Sequence, residues 1–358
     1  MKTRMISINR TELDNASLEE AAAILRTGGL VAFPTETVYG LGANALDEHA
    51  AAKIYAAKGR PSDNPLIAHI AKISDLQPLV SGIPEAGQRL MDAYWPGPLT
   101  MIFMKSSLVP HTTTGGLDTV AVRMPDDIIA NRLIELAGIP VAAPSANTSG
   151  RPSPTTAGHV LQDMDGRIEM IVDGGPVEIG VESTIVDVTG DIPMLLRPGA
   201  ITVEMLQETA GRIEIDPAIA GPLKSGIRPK APGMKYRHYA PKANLTLIED
   251  RIWEGGAVSA KVTDTIIRLA SETAARGQKA GIICTEETKA LYPAEAVIRS
   301  LGHRNREESI AHSLFAVLRE FDSLDVDEIY SESFSGDNLG RAIMNRLTKA
   351  AGYHIMKI

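Results

Sequence analysis

Twelve residues, Pro144-Ser145-Ala146-Asn147-Thr148-Ser149-Gly150-Arg151-Pro152-Ser153-Pro154-Thr155, concentrate hydroxyls, an amide, a guanidinium and prolines directly after an apolar stretch, Ile139 to Ala143. Helical spacing begins again near Thr155, in Thr156-Ala157-Gly158-His159-Val160-Leu161. A strand, a polar loop and a helix start together make an anion site. The free N–H groups of the first turn point at the ligand, and the helix dipole favours negative charge. A hydroxyl-rich connection with an ordinary N-cap has the same composition. Further segments tip the reading towards an anion site.

Pro34-Thr35-Glu36-Thr37-Val38-Tyr39-Gly40-Leu41-Gly42 follows the apolar run Leu30 to Phe33. It places three polar side chains at the carboxyl end of a strand, where open α/β sheets hold ligands. Gly40-Leu41-Gly42-Ala43-Asn44-Ala45 imitates a dinucleotide fingerprint, but no strand and ribose-binding acid follow in order. These glycines are expected to let the backbone turn tightly. In Lys58-Gly59-Arg60-Pro61-Ser62-Asp63-Asn64-Pro65, two cations leave a helix and enter a proline-bounded loop. Lysine supplies a mobile point charge and arginine a planar fork that fits phosphate. A basic helix C-terminus complementing the dipole accounts for the charges, though not for the proline clamps. The chain has no Walker A motif, so an ATP site has to be built another way.

Arg123 and Arg197 each end an apolar strand just before a proline. A buried guanidinium needs a partner. Either an internal carboxylate such as Asp126, Glu182 or Asp187 serves, or a substrate carboxylate or phosphate does. The repetition favours the substrate for at least one of them. His69, in an apolar strand, reads on its own as a core histidine. Nucleophilic triads, paired catalytic carboxylates and metal-ligand spacings are all lacking, so neither a covalent nucleophile nor a protein-bound metal is expected.

These residues need a scaffold. The chain has 358 residues with 44% hydrophobic and 22% charged, which suggests two packed domains. Net charge is -8 and aromatic content 4%, which argues against nucleic acid as the main ligand. Cys284 is the only cysteine, so an intramolecular disulfide and a cysteine zinc cluster are excluded. With no signal-peptide hydrophobic region and no apolar run near the roughly 20 residues of a membrane span, a soluble cytoplasmic protein away from membranes is expected.

Periodicity predicts helices over Leu18–Arg26, Asp47–Lys58, Ala86–Tyr94 and Asp127–Ala137, with strands at 66–70, 99–104, 119–123, 170–173, 183–188 and 193–197. Consecutive strands among the helices imply an α/β domain with a mixed sheet, residues 15–210. Residues 216–244 are rich in Pro, Gly, Lys and Arg and lack periodicity, which marks residues 211–243 as a linker. Their end, Ala231-Pro232-Gly233-Met234-Lys235-Tyr236-Arg237-His238-Tyr239-Ala240-Pro241, carries more chemistry than a spacer needs and reads as a lid. Interdomain packing by the tyrosines is the plainer reading. Residues 244–358 alternate strand and helix as a smaller parallel α/β domain, Rossmann-like in outline.

Together the motifs resemble the two-domain threonylcarbamoyl-AMP synthases with a YrdC-like catalytic domain. The matching stretches are Phe33 to Gly42, Lys58-Gly59-Arg60-Pro61 with Asn64-Pro65-Leu66, Trp95 to Thr100, Val122-Arg123-Met124-Pro125, Pro144-Ser145-Ala146-Asn147, Ser183-Thr184-Ile185, Leu196-Arg197-Pro198-Gly199 and Pro232 to Pro241. They cover the chain to about residue 243. Gly340-Arg341-Ala342-Ile343-Met344-Asn345-Arg346 extends the likeness more weakly.

The resemblance implies a YrdC-like twisted mixed sheet. It implies a reaction of L-threonine, bicarbonate and ATP, the last with Mg²⁺, giving threonylcarbamoyl-AMP and pyrophosphate. The product would serve tRNA threonylcarbamoyl-transfer proteins acting at tRNA position 37. Lys58 and Arg60 would be catalytic. ATP would bind Lys58, Arg60, Ser62, Thr119, Ser145, Asn147, Ser153, Arg197 and Tyr236. Threonine would be framed by Thr35, His69, Arg123, Ala143 and Ser183. The competing expectation is a YrdC-like module that binds RNA or regulates, without synthase activity. A related carbamoyl-transfer maturation factor would carry zinc-binding cysteines, which this chain lacks.

Overall fold

The computed structural model describes residues 2–219, 221, 229–232, 238–250 and 258–358. The chain forms two compact units. The first comprises Met1–Ser149 and Ser153–Lys235, and the second Gly150–Pro152 and Tyr236–Ile358.

Eleven strands build the sheet of the first unit. They are β1 (Arg4–Ser7), β2 (Val31–Phe33), β3 (Gly40–Asn44), β4 (Ile67–His69), β5 (Leu99–Met104), β6 (Thr119–Arg123), β7 (Val141–Ala142), β8 (Met170–Asp173), β9 (Thr184–Asp187), β10 (Met194–Arg197) and β11 (Glu214–Ile215). Their order is β1-β8-β2-β3-β7-β4-β6-β5-β9-β10-β11. Parallel pairs such as β4 with β6 and β5 with β9 alternate with antiparallel pairs such as β5 with β6 and β9 with β10. The sheet is therefore mixed.

Helices cover both faces of this sheet because strand side chains alternate in direction. Val31 and Phe33 of β2 point towards α1 (Asn15–Arg26) and α4 (Ile128–Ala137), packing with Leu18, Leu25, Ile129 and Leu133. Ala32 between them belongs to the opposite core, with Ile54 of α2 (Glu48–Lys58), Leu90 of α3 (Glu85–Tyr94), Val160 of α5 (Ala157–Met164) and Leu206 of α6 (Val203–Ala210). Aspartates set two helix starts, that of α1 three residues before the expected Leu18 and that of α4 one residue after the expected Asp127: Asp14 accepts from Ala16 N and Ser17 N, and Asp127 from Ile129 N and Ala130 N.

One expectation fails here. Gly40 and Gly42 do not form a tight turn but lie inside β3. The physical reason is space: a Cβ on Gly42 would stand 2.8 Å from Phe33 Cε1. In a strand, glycine can mark a close approach as well as a turn.

The second unit holds a five-stranded, all-parallel sheet. Its strands are β12 (Asn244–Glu249), β13 (Ala280–Cys284), β14 (Val297–Ser300), β15 (Glu328–Glu332) and β16 (Ile355–Lys357), in the order β14-β13-β15-β12-β16. Helices α7 (Ala260–Ala275), α8 (Glu307–Ser323) and α9 (Gly340–Ala350) connect them. Within this unit, Arg319 Nη2 donates to Pro152 O at 2.6 Å, Ala240 N donates to Gly150 O at 2.9 Å, and Arg151 pairs with Asp322 at 3.2 Å. No helix among the described residues is long and apolar enough to cross a membrane.

Candidate functional site

Strand register brings the scattered polar residues of the first unit into line. Val141 of β7 lies opposite His69 of β4, and His69 opposite Arg123 of β6. Arg123 lies opposite Thr100 of β5, Thr100 opposite Ile185 of β9, and Ile185 opposite Arg197 of β10. Directly opposed residues face the same way. His69, Arg123, Thr100 and Arg197 thus share one transverse row on one face. All four are buried. Beside this row the same face carries Ile67, Ile102, Ala121 and Ile185, on which Ala218 and Ala231 pack. Those two alanines come from the aperiodic 216–244 stretch, so its described part covers the face that carries the row.

Ser183, just before β9, ties the row together. Its hydroxyl lies 2.8 Å from Thr100 Oγ1 and accepts from Arg197 Nη2 at 3.0 Å, while its carbonyl accepts from Arg197 Nε at 2.9 Å. Gly199 makes this possible, since a Cβ there would meet Thr184 N at 2.5 Å.

Arg123 is held from three sides. Its Nε donates to Gly97 O at 3.2 Å and Nη1 to Thr37 Oγ1 at 2.9 Å, and Nη2 lies 2.7 Å from Glu36 Oε1. Thr37 Oγ1 is 2.9 Å from Thr35 Oγ1, which donates to Val38 O at 2.7 Å. The internal carboxylate facing Arg123 is therefore Glu36, not one of the three considered from sequence. Asp126 contributes only its backbone N–H to Glu36 Oε1, at 3.1 Å. Asp187 pairs with Lys230 at 3.0 Å, and Glu182 accepts from Ser153 Oγ at 2.5 Å. Glu36 stands in the Thr35-Glu36-Thr37 run already singled out, and that position was the available signal.

His69 Nδ1 lies 3.1 Å from Ile67 O. Burial, and secondarily the Arg123 charge, push the imidazole down to about 3. The ring is neutral at physiological pH and adds hydrogen-bonding capacity rather than charge.

The second cluster forms where α2 ends. Gly59 caps that helix at φ 62 and turns the chain out. Lys58, 2% exposed, directs Nζ at Ser145 O at 2.5 Å, Asn147 O at 2.6 Å and Asn147 Oδ1 at 3.5 Å. Its own carbonyl accepts from Ser149 N at 2.8 Å. Ser145 Oγ is 2.6 Å from Asn147 Oδ1. Arg60 Nη2 donates to Pro65 O at 2.9 Å. Residues 145–149 thus gather on Lys58, and the helix that follows the loop begins at Ala157 with Thr156 accepting from His159 N.

The edge of β3 joins the two clusters. Leu41 N donates to Pro144 O at 2.7 Å, Ala146 N to Tyr39 O at 2.8 Å and Tyr39 N to Pro154 O at 2.9 Å. Ala143 N donates to Ile67 O at 2.9 Å, which sets Ala143 beside β4. Ser62 is exposed at the tip of its loop. Thr119 stands on the row's face but four residues before Arg123, about 13 Å away along β6. Tyr236 lies outside the described residues. Among the described residues, no group of three or more His, Cys, Asp or Glu side chains could hold a metal ion.

Comparison with known proteins accords with this geometry. Residues 23–199 match the family model described as Telomere recombination, and residues 201–352 match that of the threonylcarbamoyl-AMP synthase C-terminal domain. A threonylcarbamoyl-AMP synthase of Pyrococcus abyssi is 49% identical over 98% of each chain, and one of Bacillus subtilis is 47% identical over 100% of each. A solved structure of P. abyssi Sua5 complexed with L-threonine superimposes with a TM-score of 0.92 at 48% identity, covering 99% of this chain and 100% of that one. A synthase of Pseudomonas putida, 34% identical, is matched over 97% of its length by only 51% of this chain.

Proposed function

The chain belongs to the threonylcarbamoyl-AMP synthase family, and on that footing we propose that it converts L-threonine, bicarbonate and ATP into threonylcarbamoyl-AMP, pyrophosphate and water. The threonine amine takes up the carbon of bicarbonate as a carbamate. A carbamate oxygen then attacks the α-phosphorus of ATP, and pyrophosphate leaves. No enzyme nucleophile takes part. The protein supplies positioning and cationic stabilisation of charge on the phosphates.

The observation that carries this reading is the transverse row. One face offers two buried guanidinium groups with Thr100 between them, neutral His69 beside Arg123 and the Ser183 hydroxyl beside Arg197. Arg123, with Thr35, His69, Ala143 and Ser183, frames the amino acid, and the guanidinium takes its carboxylate. Arg197, Lys58 and Arg60 take the triphosphate, which brings Mg²⁺ with it. Ser62, Thr119, Ser145, Asn147, Ser153 and Tyr236 complete the nucleotide site. The mixed anhydride product hydrolyses readily, so a segment packed over the site has a chemical purpose in excluding water. The product would pass to transfer proteins that modify tRNA at position 37, placing the work in the cytoplasm.

The test is pyrophosphate release by the purified protein with MgATP, with and without L-threonine and bicarbonate. Release that needs both supports the synthase. Absence of release from folded protein in every mixture overturns it and favours the RNA-binding reading.

A further inference from the structure

We propose that Glu36 is an internal stand-in for the substrate carboxylate: it occupies Arg123 in the empty site and is displaced when the amino acid binds. This rests on the threonine site proposed above and adds to it a residue that competes with the substrate.

Glu36 Oε2 and Arg123 Nη2 are both buried, and neither has a hydrogen-bond partner. Yet Nη2 sits only 2.7 Å from the other oxygen of the same carboxylate. The charges are in contact, but the N–H groups of Nη2 are not aligned on an acceptor. A buried ion pair whose remaining donors and acceptors are unfilled leaves much of its desolvation cost uncompensated. Such orphaned groups in a native site call for an explanation. A ligand carboxylate provides one, because it brings two oxygens to a planar fork and can meet it bidentately.

The rest of the fork is fixed without Glu36. Gly97 O and Thr37 Oγ1 hold Nε and Nη1. Removal of Glu36 therefore frees Nη2 and leaves the guanidinium plane in place. Glu36 also has somewhere to go. It lines a cavity of about 240 Å³ shared with Arg10, Asp126, Asp127, Pro176 and Glu178. Arg10, paired with Asp127 at 2.6 Å, is the one cation among the residues that line that space. Meanwhile Glu36 O accepts from Ile179 N at 2.8 Å, so the backbone stays pinned as the side chain turns.

Competition predicts an unusual sign. Glu36→Gln keeps the shape and removes the charge, so L-threonine binds more tightly than to the unaltered protein, by about tenfold as one buried ion-pair contact is released from competition. Glu36→Asp keeps the charge but shortens its reach, and it shifts affinity the same way. The measurement is calorimetric titration of the full chain with L-threonine and, in parallel, with L-threoninol, which lacks the carboxylate. Tighter threonine binding with unchanged threoninol binding bears out the exchange. Unchanged or weaker threonine binding in both folded variants overturns it, as does equal tightening for both ligands. Should the unaltered protein bind no threonine, the amino-acid site itself is refuted, and that outcome is distinct from the failure of the exchange.

Discussion

Replacing Lys58 by methionine separates two roles that a lysine in this place can play. If Lys58 acts only as a cation for phosphate, its loss costs turnover and leaves the empty protein intact. The contacts say otherwise, because Nζ bonds Ser145 O at 2.5 Å and Asn147 O at 2.6 Å inside a side chain that is 2% exposed. Hydrogen bonds from a charged donor contribute about 1.5–3 kcal/mol each, so two of them set an upper figure of about 6 kcal/mol. Water entering at partly buried Ser145 recovers part of this, and a loss of about 3 kcal/mol is expected. For a unit of this size, that lowers Tm by about 6–12 °C.

Activity falls further than stability suggests. The loop from Ser145 to Asn147 loses its anchor, and a shift of about 1 Å in a positioned group costs about a hundredfold in rate. Loss of the cation beside the phosphates adds to that. The assays are thermal unfolding of the ligand-free protein and threonine-dependent pyrophosphate release at saturating ATP, for Lys58→Met and for Lys58→Arg, which keeps the charge but not the length. Lys58→Met should lose at least about a hundredfold in turnover together with the Tm drop. An unaltered Tm would refute the anchoring argument, and near-normal turnover would remove Lys58 from the site altogether.

Two further outcomes follow from the same packing. His69 is held at about 3 by burial and by Arg123, against 6.5 for a free imidazole. Below pH 6.5 the unfolded chain binds a proton that the folded chain refuses, so the stability due to neutral His69 is present above that pH and lost as pH falls towards 3. The slope is about 1.4 kcal/mol per pH unit. Urea unfolding of the unaltered protein and His69→Asn at pH 7, 5.5 and 4.5 should show their difference shifting by that slope, and a constant difference would contradict it. Gly42→Ala places a methyl group 2.8 Å from Phe33 Cε1 and 3.0 Å from Val141 Cγ1. Overpacking of this kind costs about 1–3 kcal/mol, readable as a lowered urea midpoint, and an unchanged midpoint would mean β2 and β7 can part freely.

What sequence could and could not foretell divides along a physical line. Strands β5 and β6 are legible to the residue, because each is a compact apolar run with turn-forming residues on both sides. The mixed sheet and the parallel second unit follow from how strands and helices alternate. The strand Gly40–Asn44 is not legible, since glycine signals a turn by its backbone freedom and a close approach by its missing side chain, and only the neighbouring Phe33 ring decides between them. Nor is the partner of Arg123. Asp126 lies three residues away in sequence, yet the carboxylate that meets the guanidinium is Glu36, brought there when Ile179 N and Gly180 N bond the Glu36 and Thr37 carbonyls.

The transverse row is the deepest case of the same limit. His69, Arg123 and Arg197 can each be picked out as a polar residue ending an apolar strand. Their alignment depends on four successive pairings, some parallel and some antiparallel, with an irregularity in β10 between Leu195 and Arg197. A slip of one residue in any pairing would turn a side chain to the opposite face. That irregularity sets Arg197, rather than Leu196, opposite Ile185. Because bulges re-aim side chains near functional sites, this one does more than interrupt a ladder: it delivers the second guanidinium to the face that already holds the first. The types of the reacting partners can therefore be read locally, while their convergence belongs to the sheet as a whole.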